Sequence, residues 1–386
     1  MTVPGTIPST IPGTIPGTMR AAVLRGEAPT LEVLEIPTPA PKIGEVLIQV
    51  LGCGVCHTDL HVIKGEVAFP RPAVLGHEVS GRVAALGPGL EESGLNVGDV
   101  VISGFIMPCT TCEACERGRD DLCANFFAQN RLRGTLYDGE SRLRMPDGSF
   151  LAMYSMGGLA EYAVVPASAL TALPDGLDPA GAAILGCAGL TSYGAAYRQG
   201  DVGPGARVAI VGVGGIGSSL IPMARAAGAD QIIAVDVVPD KLERARQLGA
   251  TDTVDARDAD PVTEVRALSG RGVDVCFEAL GNPATFRQAV EMLADGGRMV
   301  AIGIAAGRAE AAVEITPLVR RGFEIVGSFG GRTRTDLPEV AGIAADGRFD
   351  VDSLITRRYD LDDADRAYRD LAGGQITGRA LVTMGG

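Results

Sequence analysis

The chain has 386 residues, 46% of them hydrophobic, with 53 glycines. That length accommodates two separate cores, and the composition is that of a compact, turn-rich globular protein. The formal net charge of −13 argues against nucleic acid or an anionic membrane as partner, because both need a basic face. No apolar run reaches the ~18 residues of a membrane span.

Residues 1–18 repeat a Pro-Gly-Thr-Ile unit. Proline at this frequency prevents a helix and removes sheet donors, so a disordered tail is expected. There is no basic start followed by an apolar stretch, so it does not read as a secretory signal. Met19 opens the first foldable segment, and short β runs between Gly and Pro follow to about residue 100, among them Glu45–Val50, Val79–Leu86 and Asp99–Ile102. A small rolled-up β domain reads this way.

One stretch interrupts it. Cys53-Gly-Val-Cys56-His57-Thr58-Asp59-Leu-His61 begins as a helix, and Gly76-His77-Glu78 lies some twenty residues on; together they hold all 3 histidines. With the later Cys187, in Leu-Gly-Cys-Ala-Gly-Leu-Thr, these are zinc-ligand types. Cys56, His77 and Cys187 are expected to hold one catalytic zinc with its fourth position open. Asp59 is expected to orient His77 through its second ring nitrogen, with a helix cap as the alternative. Cys53 and Cys56 also make a CxxC, but there is no matching strand–CxxC–helix context with a redox partner, and Cys56 has a better use as a metal ligand.

Cys109-x2-Cys112-x2-Cys115-x7-Cys123 follows on a charged loop without periodicity. Four thiolates so spaced can surround a structural zinc and staple a lobe, residues 105–125, that has no core of its own. An iron–sulfur cluster is the competing reading; the late fourth cysteine and the missing proline after it speak against that. Thiolates kept as ligands imply a reducing compartment, and a cytoplasmic protein is expected. Residues 126–156 are polar with little periodicity.

The cofactor motif is strand, turn, helix. Arg207–Val211 runs into Gly212-Val213-Gly214-Gly215-Ile216-Gly217, and Gln231–Val235 ends in Asp236. Gly212 serves the tight turn, Gly214 lets amides approach a pyrophosphate at a helix N-terminus, and Gly217 lets helix and strand pack. Gly215 and Ile216 complete the turn. Asp236 would accept from the adenosine ribose and repel a 2′-phosphate, so NAD is expected over NADP. Pro222 falls inside the following helix and is expected to kink it. Alternation continues through Val273–Phe277, Arg298–Ile302 and Phe323–Gly327, giving a doubly wound parallel sheet, and Ile302 and Ile304 are assigned to the cofactor site at its edge.

The motifs Gly54-Val-Cys-His-Thr-Asp59, Gly76-His-Glu78 and Gly186-Cys-Ala-Gly-Leu-Thr191 resemble those of the zinc-dependent medium-chain alcohol dehydrogenases, over nearly all the chain after Met19. The resemblance implies an α/β protein: a GroES-like β catalytic domain (residues 19–189 and 333–386) and a Rossmann cofactor domain (residues 190–332). It implies one catalytic and one structural zinc, and hydride transfer between an alcohol or aldehyde and NAD. In such enzymes Thr58 takes the hydroxyl proton and His61 passes it to solvent. Glu78 stands behind the metal, His57 and Arg379 contact the pyrophosphate, and Lys241 contacts the ribose. The segment 126–156 is similar to the insertion of the liver-type members, which implies a homodimer, with a tetramer as the alternative. Phe105 matches a pocket aromatic. Phe127 stands where the glutathione-dependent formaldehyde dehydrogenases carry an arginine, which points to an apolar, bulky or aromatic primary alcohol or aldehyde instead. Reduction of conjugated double bonds on the same fold is a rival reading, disfavoured by the intact Thr58–His61 relay. A zinc-containing nucleotide sensor is another, and it would leave the open metal site unexplained.

Overall fold

The structure, a computed structural model, describes residues 15–26, 28–305 and 307–385. The expected tail lies outside the described residues up to residue 14. Its last residue does not belong to a tail at all. Thr18 opens the strand Thr18–Leu24 and pairs with Pro37, so the sheet captures the end of the repeat.

Two sheets build the first body. One has five strands, in the order Leu31–Pro37, Thr18–Leu24, Ala73–Val74, Phe150–Met153 and Leu143–Arg144. The other has seven, running Leu170–Ala172, Val100–Ser103, Val79–Leu86, Glu45–Val55, Arg379–Thr383 and Ile355–Asp360, with Tyr162–Pro166 also paired to the long Glu45–Val55 strand. The chain beyond residue 333 therefore returns to this body: Arg379–Thr383 pairs antiparallel with Gly52–Val55 and fixes the C-terminal arginine beside the Cys53–Glu78 stretch. Segment 126–156 is ordered, against its polar appearance. Asn130 is fully buried and donates to the carbonyls of Thr135, Met153 and Ser155 while accepting from the Ser155 amide, a hub that replaces periodic packing.

The third sheet has six parallel strands in the order Asp252–Asp255, Gln231–Asp236, Arg207–Val211, Val273–Glu278, Leu293–Ala301 and Glu324–Gly327. This is the doubly wound order, and its reversal between Arg207–Val211 and Val273–Glu278 opens the crevice where such sheets take ligands. Apolar residues fill both faces of the inner strands, as their uninterrupted hydrophobic runs require. The glycine turn is shaped as its sequence demands. Gly212 has φ +91°, and a Cβ on Gly217 would lie 1.9 Å from the Gly212 carbonyl oxygen. The helix Gly215–Ala226 continues through Pro222, which is buried and costs the helix one amide donor without ending it.

Candidate active site and metal centres

The strand Glu45–Val55 delivers Cys56 to the start of the helix His57–Ile63. Cys187 sits at the joint between the 3₁₀ turn Gly181–Gly186 and the helix Ala188–Tyr193. Ligand atoms of Cys56, His77, Glu78 and Cys187 lie within 4.8 Å of one another, all on buried residues. Asp59 is not a helix cap. Its Oδ1 accepts from the Gly76 amide at 3.2 Å and from His77 Nδ1 at 3.1 Å, and its Oδ2 accepts from the Tyr368 hydroxyl at 3.0 Å. That leaves His77 Nε2 buried with no partner. A buried ring nitrogen turned toward two thiols and lacking any donor calls for a cation, and the N and S donor set fits zinc.

The electrostatics agree. Burial pulls the His77 pKa down, but Asp59 and the Cys56 thiolate carry it up to about 10. Cys56 is held well below the usual thiol range because Cys187 donates to it, and Cys187 is pushed up by the same contact and by burial. Zinc binding here would release the proton that His77 and the two thiols share. Glu78 Oε2 is also unpartnered, while its Oε1 pairs with the buried Arg379. A Cβ on Gly54 would strike Glu78 Oε2 at 2.0 Å, which is why a glycine precedes the ligand motif.

The second cluster is Cys109, Cys112, Cys115 and Cys123. Its Sγ–Sγ separations include 4.0 Å for Cys109–Cys115 and for Cys112–Cys123. These are too long for a disulfide and close to the edge of about 3.8 Å that a tetrahedron with ~2.3 Å zinc–sulfur bonds requires. Donors already converge on the sulfurs: the Cys109 and Phe126 amides on Cys123, and Asn125 Nδ2 on Cys109. Against burial, its backbone and side-chain donors take Cys109 down to about 6. Arg334 anchors the lobe through Asp120 and the Cys115 carbonyl.

At the cofactor crevice Gly214 faces open space, with nothing within 4 Å of a Cβ there. Asp236 accepts from the amides of Val213 at 2.8 Å, Val237 at 2.8 Å and Val238 at 3.0 Å, so the glycine turn itself aims the carboxylate. Arg379 Nη1 would be 2.6 Å from a Cβ on Gly215, which sets its charge at the N-terminus of the first Rossmann helix. Gly215 and Ile216 are half-buried in that turn, Lys241 is half-buried on the helix Pro239–Gln247, and His57 is exposed. Ile302 is half-buried just past its strand, and Ile304 is 73% exposed.

Two family models match the chain: the alcohol dehydrogenase GroES-like domain over residues 42–175 and the zinc-binding dehydrogenase over residues 215–346. The S-(hydroxymethyl)glutathione dehydrogenase of Synechocystis sp. is 34% identical over 356 residues, 90% of this chain and 95% of that protein. The chain belongs to the zinc-dependent medium-chain alcohol dehydrogenases. Among solved structures, an alcohol dehydrogenase zinc-binding domain protein from Burkholderia ambifaria superposes with a TM-score of 0.90 at 32% identity, covering 96% of this chain and 99% of that one. Benzyl alcohol dehydrogenase from Acinetobacter calcoaceticus follows at 0.89 and 30%, covering 95% and 99%.

As an alcohol dehydrogenase the chain is an oxidoreductase acting on CH–OH groups, and aromatic rings gather beside His77. Phe105 lies 5.9 Å and Tyr154 6.1 Å from the His77 ring, both edge-on. Phe329 links Phe105 at 5.7 Å to Phe127 at 5.5 Å, and Phe69 stacks edge-on to Tyr154 at 4.9 Å. Sequence reasoning missed Tyr154, Phe329, Phe69 and Tyr368. No motif marks them, and Tyr368 is 309 residues from Asp59. Replacing Cys112 with serine should lower bound zinc from two per chain to one and reduce the thermal unfolding temperature; an unchanged metal content by atomic emission would remove the four-cysteine site.

Proposed function

We propose that this dehydrogenase interconverts a primary alcohol and an aldehyde carrying an aromatic or bulky apolar group, with NAD as hydride carrier. The observation that carries the reading is the ring of aromatic side chains directly against His77. The benzyl alcohol dehydrogenase named above is a solved relative whose own substrate has that chemistry. The glutathione-adduct substrate of the curated relatives fits less well, because Phe127 packs in an aromatic row with Phe126 and Phe329 and presents no charge.

Zinc held by Cys56, His77 and Cys187 would supply Lewis acidity that makes a hydroxyl acidic near neutral pH. Thr58, half-buried with Oγ1 3.7 Å from Cys56 Sγ, would accept that proton. His61 is half-exposed and pairs through Nδ1 with Glu66, whose carboxyl this hydrogen bond holds below its usual range. That pair is the exit to solvent. Thr58 would take the proton and His61 would release it; no hydrogen bond joins the two directly among the described residues. Asp59 and Tyr368 keep His77 in the tautomer whose Nε2 is free. The aromatic wall excludes water from the reacting carbon.

NAD is favoured over NADP because Asp236 would face a 2′-phosphate with a like charge. Replacing Asp236 with glycine should raise the ratio of NADPH to NADH efficiency by about tenfold or more; an unchanged ratio would mean the carboxylate does not meet the ribose. A homodimer is supported by the edge strand Glu324–Gly327, which leaves Ile325 exposed, and by the adjoining helix Ile315–Arg320, with Ile315 at 75% and Val319 at 72% exposure. A monomer mass in sedimentation equilibrium would contradict it. Eight unbridged cysteines favour the reducing cytoplasm. The activity test is NADH oxidation by zinc-replete protein against aldehydes, ketones, conjugated enals and a formaldehyde–glutathione mixture. Aromatic aldehydes should be the best substrates and alcohols the products. Saturated carbonyl products from the enals would make it a double-bond reductase.

A further inference from the structure

Among the rings beside His77 stands one charge that has no acidic partner among the described residues. Arg131 closes the turn Phe126–Arg131. Its guanidinium carbon lies 4.0 Å from the centre of the Tyr154 ring, 5.0 Å from Phe126 and 5.8 Å from Phe105. Tyr154 and Phe105 are the same two rings that flank His77. The guanidinium therefore stands one ring away from His77 in the metal-ligand cluster.

Arg131 Nη1 is buried and has no hydrogen-bond partner. Other arginines of this body have acidic partners: Arg119 pairs with Asp121, Arg142 with Glu45 and Asp138, and Arg334 with Asp120. No acid among the described residues pairs with Arg131. A guanidinium cannot shed its proton to escape burial, and stacking on ring faces offsets only part of the cost of desolvating it. Its planar fork matches a carboxylate two bonds at a time. A carboxylate on a bound ligand would answer it.

We propose that Arg131 sets the specificity of this pocket by receiving a carboxylate on the substrate, so that the preferred substrates are aryl alcohols and aldehydes bearing a carboxylate across the ring from the reacting carbon. This rests on the aromatic alcohol–aldehyde reading above and narrows it. The reacting carbon would sit beside His77, the aryl ring would lie against Phe105 and Tyr154, and the far carboxylate would meet the guanidinium. A purely structural Arg131, clamping the rings, would have no preference for charge on the substrate.

The test compares 4-formylbenzoate with benzaldehyde as NADH-dependent substrates of the wild-type enzyme, Arg131→Gln and Arg131→Lys. Wild type should favour 4-formylbenzoate in kcat/KM by about tenfold or more. Arg131→Gln should bring the two substrates to near parity, mainly through KM, and Arg131→Lys should keep part of the preference. A second readout needs neither turnover nor a variant. By calorimetry on the zinc- and NADH-loaded wild type, in which an alcohol cannot be oxidised, 4-(hydroxymethyl)benzoate should bind more tightly than benzyl alcohol by a similar factor. Equal efficiencies and equal affinities in the wild type would overturn the assignment, as would a preference that survives in folded Arg131→Gln or better turnover of the formaldehyde–glutathione adduct. Failure to reduce either aldehyde would overturn the aldehyde reading itself, while tighter calorimetric binding of the carboxylate compound would still uphold Arg131 as its receptor.

Discussion

Burying negative charge without water is the constraint on which this structure depends. Asp59 and Glu78 have no exposed surface, and the thiols of Cys56 and Cys187 lie beside them. Such a group of anions is tolerable only when cations and donors are supplied in fixed positions. The chain supplies them from far apart in sequence: Tyr368 and His77 on Asp59, Arg379 on Glu78. What remains unanswered, His77 Nε2 and Glu78 Oε2, faces the cluster of ligand atoms. The unanswered part defines the metal site.

The same arrangement connects the two halves of the enzyme's chemistry. Arg379 reaches Glu78 on one side and the Gly215 turn on the other, so one buried guanidinium senses both the metal cluster and the phosphate end of the Rossmann helix. Its strand is held by pairing with Gly52–Val55, the segment that leads into Cys56. Asp236 is likewise aimed by the amide of Val213 in the glycine turn. Cofactor and metal sites are thus positioned by shared backbone, and a small shift in either would be felt by the other.

Much of this is legible in the sequence because the chemistry is local there. Cys56, Thr58 and Asp59 ride on one turn of helix, the four-cysteine lobe is a single loop, and the glycine turn lies between a strand and a helix. Gly212 and Gly217 do what their spacing implies, with positive φ at the first and backbone contact at the second. The aromatic pocket is different. Arg131 and Tyr154 lie in the 126–156 segment, which has no periodicity or motif and is ordered by four hydrogen bonds of Asn130, and Phe329 joins the rings from the cofactor half. Where a polar side chain rather than an apolar stripe organises a segment, pattern reading finds no core. The sheet also claimed Thr18, since backbone pairing with Pro37 outweighs the composition of the repeat.

The central claim is an open metal position formed by Cys56, His77 and Cys187. Its most direct test is the visible spectrum of the protein with cobalt(II) in place of zinc, with and without NAD and benzyl alcohol. Two thiolate ligands and an exchangeable fourth position predict sulfur-to-cobalt charge-transfer bands from this site, lost in the Cys187→Ser variant and shifted when alcohol and cofactor are added together. A spectrum that reports only the four-cysteine site, or one indifferent to alcohol and cofactor, would contradict the account.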